Sequence, residues 1–133
     1  MCGFGTRLVA MVLTNSAGVV LDPATLPPHV RQLSEQVEHG DPDAQYMLAR
    51  LFFRGEGVPQ DSPKAAQLYH QAAQGGYQLD GPPEKVAAQI NARYMLGTLY
   101  SLGDGLPQEK TTGEALWKQA EELERACSAR KGN

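Results

Sequence analysis

At 133 residues the chain has the length of one domain and can bury a single core. Its 41% hydrophobic and 20% charged residues are ordinary for a soluble globular protein, which excludes wholesale disorder and a membrane-embedded fold. A net charge of −3 argues against nonspecific nucleic-acid binding, which needs a basic surface to neutralise phosphates.

The stretch from Met1 to Leu26 stands apart from the rest. Arg7 precedes the apolar run Leu8–Leu13, and Ser16-Ala17-Gly18 supplies small residues just beyond, which is the outline of a secretory signal. The run is short, however, and Thr14-Asn15 interrupts it. The preferred reading is therefore a hairpin or extended arm, with short strands at Leu8–Leu13 and Val19–Leu21 joined through Asn15-Ser16-Ala17-Gly18. A cytoplasmic location goes with the arm, and a periplasmic or secreted one with a signal. Cys2 and Cys127 form no CxxC pair and leave the redox compartment open. No stretch approaches the length of a transmembrane helix, so no membrane insertion is expected.

Residues 27–130 read as one repeat domain, built of a half repeat at 28–40, a repeat at 41–76, an insertion at 77–91 and a repeat at 92–125. Ala44–Ala72 laid over Ala92–Ala120, without a gap, gives twelve identities in 29 positions. Chance gives about two, so the chain contains an internal duplication. Each copy reads as helix, glycine loop, helix. Asp41-Pro42 supplies an N-cap and a first-turn proline, and Gly55 sits where a left-handed C-cap is wanted. Ser62-Pro63 opens a second helix that stops at Gly75-Gly76. In the second copy Thr111 and Glu114 have capping-box spacing, and Gly103 closes the helix before them. Ala44, Leu48, Leu51 and Phe52 form one apolar stripe; Leu68, Tyr69, Ala72 and Ala73 form the next. Val30–Gly40 matches Ala65–Gly75 at Gln32/Gln67, Leu33/Leu68, Gln36/Gln71 and Gly40/Gly75, so a lone second-type helix caps the first full pair. Between the copies, Pro82-Pro83 can start a helix and nothing from Glu84 to Leu102 breaks one. The spacing predicts a long helix over 83–102, whose extra turns project outward or fold over the preceding repeat.

The motif residues Ala44, Leu48, Ala49, Phe52, Gly55, Gly57, Val58, Asp61, Lys64-Ala65, Tyr69, Ala72-Ala73 and Gly75 resemble the Sel1-like repeat family, relatives of tetratricopeptide repeats. The second copy shows the same pattern through Ala92, Leu96-Gly97, Tyr100, Gly103, Gly105, Leu106, Glu109, Trp117 and Ala120. The resemblance implies an all-α fold, a short right-handed superhelix (α-solenoid) of antiparallel helix pairs, and a role as an adaptor or scaffold for protein complexes. The copies lie 48 residues apart, longer than the family's usual spacing, and the N-terminal arm falls outside its pattern.

Catalytic chemistry finds little support. Ser128-Ala129-Arg130-Lys131 matches S-x-x-K, a nucleophile pattern of penicillin-recognising enzymes, but without its partner motifs. Cysteine-rich relatives of the repeat family are associated with β-lactam binding or hydrolysis, and this chain lacks their paired cysteines. His29, His39 and His70 have no metal-site spacing, and the Gly-x-Gly loops follow helices with no P-loop lysine. No catalytic residue, cofactor or metal is expected.

Binding is expected on the first helices, which line the concave face of helix-pair solenoids. The positions not needed for packing carry Gln45, Arg50, Phe53, Arg54, Asn91, Arg93, Thr98 and Ser101. Phe53 has no aromatic counterpart in the second copy and is read as exposed. With the glutamates gathered on second-type helices, these residues suit an acidic or C-terminal segment of another protein. Two other readings stand beside this one: a β-lactam or cell-wall hydrolase, and a structural subunit that self-assembles through its repeat ends.

Overall fold

The computed structural model describes residues 13–22, 24–74 and 82–131. Five helices occur among them: α1 Pro28–Glu38, α2 Pro42–Arg54, α3 Ser62–Gln74, α4 Pro83–Leu102 and α5 Lys110–Lys131. The fold is all-α, as expected. Of the N-terminal strands, the described part shows an isolated antiparallel bridge, Thr14 with Val20. Residues 8–12 of the first expected strand, Cys2, the Gly75-Gly76 stop and the insertion up to Gly81 lie outside the described residues.

The helix ends follow from local chemistry used twice. Asp41 accepts the Asp43 amide at 3.1 Å, and Pro42 gives up no hydrogen bond in the first turn. Gly55 and Gly103 close α2 and α4 at φ 73° and 72°, a left-handed conformation that a Cβ disfavours. The Gly55 and Glu56 amides both return to the Leu51 carbonyl, and those of Gly103 and Asp104 to that of Leu99. Gln60 Nε2 then donates to the Phe53 carbonyl at 3.0 Å, and Gln108 Nε2 to the Ser101 carbonyl at 2.9 Å. The glutamine shared by the two copies therefore satisfies a carbonyl that the helix end leaves without an intrahelical partner.

One expected helix start is corrected. The second helix of the second copy begins at Lys110, with the Gly113 amide bonded to the Glu109 carbonyl, so Thr111 lies inside the first turn and is not the cap. Glu109 occupies the position of Asp61, whose Oδ1 accepts the Lys64 amide at 3.1 Å and caps α3. Repeat register, not the local Thr-x-x-Glu spacing, sets the start.

Each first-type helix packs on the helix that follows it, α2 on α3 and α4 on α5, while α4 also packs on α3 and α2, and α2 on α1. This stacking makes an α-solenoid. The second loop glycines fix its pitch. A Cβ on Gly57 would stand 3.1 Å from Val30 Cγ2 and 3.2 Å from Pro27 Cγ at the start of α1; one on Gly105 would stand 2.7 Å from the Ser62 carbonyl oxygen at the start of α3. Thus α1 sits beside the first loop as α3 sits beside the second. The main core runs from Val30 through Leu48, Phe52, Leu68 and Tyr69 to Leu96 and Leu99.

The long helix expected over 83–102 forms as α4, and its extra turns do not project freely. Val86 and Ile90 join Ala120 in a second cluster, with Tyr94, Leu123 and Cys127 packed around it. The lengthened α4 is thus matched by a lengthened α5. Lys85 also reaches back to Asp41, 3.4 Å away at the start of α2. The arm lies across the other end: the Ser16 amide donates to Asp61 Oδ2 at 2.8 Å, and Leu13 is buried in the main core.

Candidate partner-binding surface

Two recesses among the described residues involve the expected binding residues. The first lies between α1 and α2, lined by apolar Leu33, Met47 and Leu51 together with His29, Arg50, Arg54 and Glu56. The second lies over α4 between α3 and α5, where Arg93, Leu96 and Tyr100 meet His70, Ala73 and Gln74 from one side and Thr112, Leu116 and Gln119 from the other.

Arg50 is the best-positioned cation of the surface. Its guanidinium lies over the Tyr46 ring, 5.8 Å from the centroid. Tyr46 in turn packs on Tyr69, with centroids 5.7 Å apart and ring planes at 53°. Tyr69 is fully buried, and that burial, with Tyr46 beside it, pushes its phenol far above the usual range against the opposing pull of Arg50 and Arg54. Arg54 is exposed and meets Glu56 at 3.9 Å, a loose pair that solvent screens.

The remaining expected binding residues fall in different settings. Arg93 lines the second recess, apart from Arg50 and Arg54, and its Nη1 donates to the Gln89 carbonyl at 3.3 Å. Asn91 is exposed on α4. Thr98 turns its hydroxyl back to the Tyr94 carbonyl at 2.9 Å, and Ser101 is half-buried where α5 crosses α4. Two expectations of exposure are corrected. Gln45 is only 8% exposed, because it shares a helix side with Leu48 and Phe52, at i+3 and i+7. Phe53 is half-buried and packs against the main core, on the side of α2 that its counterpart Ser101 turns toward α5.

Sequence reasoning passed over His29, Leu33, Met47 and Leu51. Leu51 was placed on the apolar stripe of its helix, Leu33 entered only as a match to Leu68, and Met47 was given no role. A signal was present: the half repeat at 28–40 matches only the second-type helix of a full repeat.

Among the described residues no three metal-binding side chains come together, and no helix is long and apolar enough to cross a membrane. Ser128 of the S-x-x-K pattern is exposed on α5, beside Glu121, Glu124 and Arg125, and the Lys131 side chain lies outside the described residues.

A family model, the Sel1 repeat, matches residues 42–77 and 90–124. No curated protein and no solved structure matches the chain.

Proposed function

The chain belongs to the Sel1 repeat family, whose repeats are generally protein-interaction modules, and on that premise we propose that it is an adaptor that holds an acidic segment of another protein against its first-type helices. The repeat is typically a non-catalytic helical scaffold, and the reading assigns this chain no reaction. The supporting observation is Arg50. A half-buried cation, steadied by an aromatic ring and set beside apolar Met47 and Leu51, suits a carboxylate next to an apolar side chain. A solvated surface arginine would have no such support.

Charge reversal tests the reading. Arg50→Glu, Arg54→Glu and Arg93→Glu, combined in the full chain and checked for fold by circular dichroism, should lower recovery of partner proteins from source lysate by about tenfold or more. Unchanged recovery by the folded variant would remove the proposal.

A further inference from the structure

The two full repeats differ in what covers their first helix. Met47, Leu51 and Arg54 run along one side of α2 at i, i+4 and i+7; their counterparts on α4 are Met95, Leu99 and Leu102. On α4 the first two positions of that side meet the preceding repeat, with α2 and α3 packed against the helix, Leu99 fully buried and Met95 set on the main core, while Leu102 at the helix end is exposed. Among the described residues the preceding unit supplies α1 to α2, and no helix stands to α2 as α2 stands to α4. Met47 is accordingly 44% exposed, Leu51 is half-buried, and the first recess, about 150 Å³, opens beside them with Leu33 and His29 of α1 as its other wall. Such a volume takes one aromatic or leucine-sized group.

We propose that this recess is the seat for a single amphipathic helix of a partner protein, which docks as the missing first helix of the half repeat. One large apolar side chain enters between Met47, Leu51 and Leu33, and carboxylates about a turn away meet Arg50 and Arg54. Charge selects the partner. The counterparts of Arg50 and Arg54 are Thr98 and Leu102, so this pair of cations, which outnumbers the one carboxylate of the lining, Glu56, belongs only to the first full repeat. A second copy of this chain is a poor occupant. Its exposed large apolar residues, among those described, are Val19, Val20, Met47 and Leu102, and none of its described helices carries an exposed apolar stripe. The inference rests on the adaptor reading and narrows it to one surface and one secondary structure.

The test uses the full chain and two fluorescein-labelled helical peptides, each with leucines at i, i+4 and i+7, flanked in one by glutamates and in the other by lysines. The glutamate peptide should bind saturably, and Arg50→Glu with Arg54→Glu should weaken it by about tenfold or more while improving the lysine peptide. Arg54→Glu alone, at an exposed position, should shift each peptide in the direction the double variant does, and guards against a double variant that fails to fold. Met47→Asp should also weaken the glutamate peptide. Equal binding of the two peptides, or no saturable binding, would overturn the seat. Loss of binding on Arg93→Glu alone would move the site to the second recess and leave the adaptor reading intact. A concentration-dependent mass that Met47→Asp abolishes would give the seat to a second copy. Binding that appears only after removal of residues 1–12 would give it to the chain's own N-terminal segment. Either result overturns the proposal. Failure of the adaptor reading is read separately, from the lysate recovery.

Discussion

Gly97 on α4 and Gly113 on α5 face each other with no room for a methyl group between them. A Cβ built on Gly97 would lie 2.8 Å from the Gly113 carbonyl oxygen, and one on Gly113 would lie 2.6 Å from that of Gly97. The first copy has Ala49 and Ala65 at these positions, both fully buried. The second pair of helices thus crosses with small residues one size down, and the Trp117 indole, set against Gly97, fills space beside the crossing.

Alanine at Gly113 should therefore destabilise the fold, although alanine favours an isolated helix by about 1 kcal/mol. Overpacking against a backbone carbonyl outweighs that preference, and the expected net loss is about 1–3 kcal/mol. Urea denaturation followed by Trp117 fluorescence would measure it, since this is the chain's one tryptophan. Wild-type stability in Gly113→Ala would show that α4 and α5 can separate freely.

Tyr69 supplies an opposite case. Its hydroxyl is buried with no hydrogen-bond partner among the described residues. Tyr69→Phe removes that group without changing the ring, so stability should hold or rise by about 1 kcal/mol at neutral pH. The sign of its pH dependence follows from the raised phenol. Unfolded tyrosine ionises near about 10, and the folded protein keeps its proton beyond that. Stability is then fully present below pH ~10 and falls as pH rises above it. Phenylalanine should flatten this alkaline loss in denaturation curves taken from neutral pH upward.

Asp61 ties the N-terminal arm to α3. Burial alone would raise its carboxyl, but the Ser16 amide and hydroxyl, the Lys64 amide and the Lys64 charge outweigh that and lower it. A lowered carboxyl contributes stability above its unfolded value, about 3.9, that is lost as pH falls through the folded one. Asp61→Asn keeps the cap on α3, because asparagine caps equally well, yet loses an acceptor for Ser16. Hydrogen exchange should show faster exchange in the arm, with global stability lower by about 0.5–1.5 kcal/mol. Unaltered arm protection would mean that the apolar contacts of Leu13, Leu21 and Leu26 hold it without that bond.

The extra turns of α4 should be felt at the end of α5. Ile90→Ala opens the second cluster and should cost about 2–4 kcal/mol if α4 and α5 unfold as one unit with the core. Raised exchange confined to the amides around Leu123 and Cys127, with the main core unchanged, would show instead that the cluster melts by itself.

Sequence alone determined the helical repeat, because Ala44–Ala72 and Ala92–Ala120 carry the same apolar spacing and the same glycine punctuation, and these dictate local structure wherever they occur. The length of α4 was legible for the same reason: Pro82-Pro83 starts a helix and Gly103 ends it. Local spacing misled at Thr111, where the register inherited from Asp61 prevailed. It also misled at Phe53, since lack of an aromatic counterpart says nothing about which neighbour lies across the helix, and at Gln45, read as a position not needed for packing although it is buried beside Leu48 and Phe52. Only the tertiary structure decided that Met47 is exposed where Met95 is half-buried, and that Leu51 is half-buried where Leu99 is fully buried. Equivalent residues in a repeat have equivalent sequences but not equivalent neighbours, and burial belongs to the neighbours.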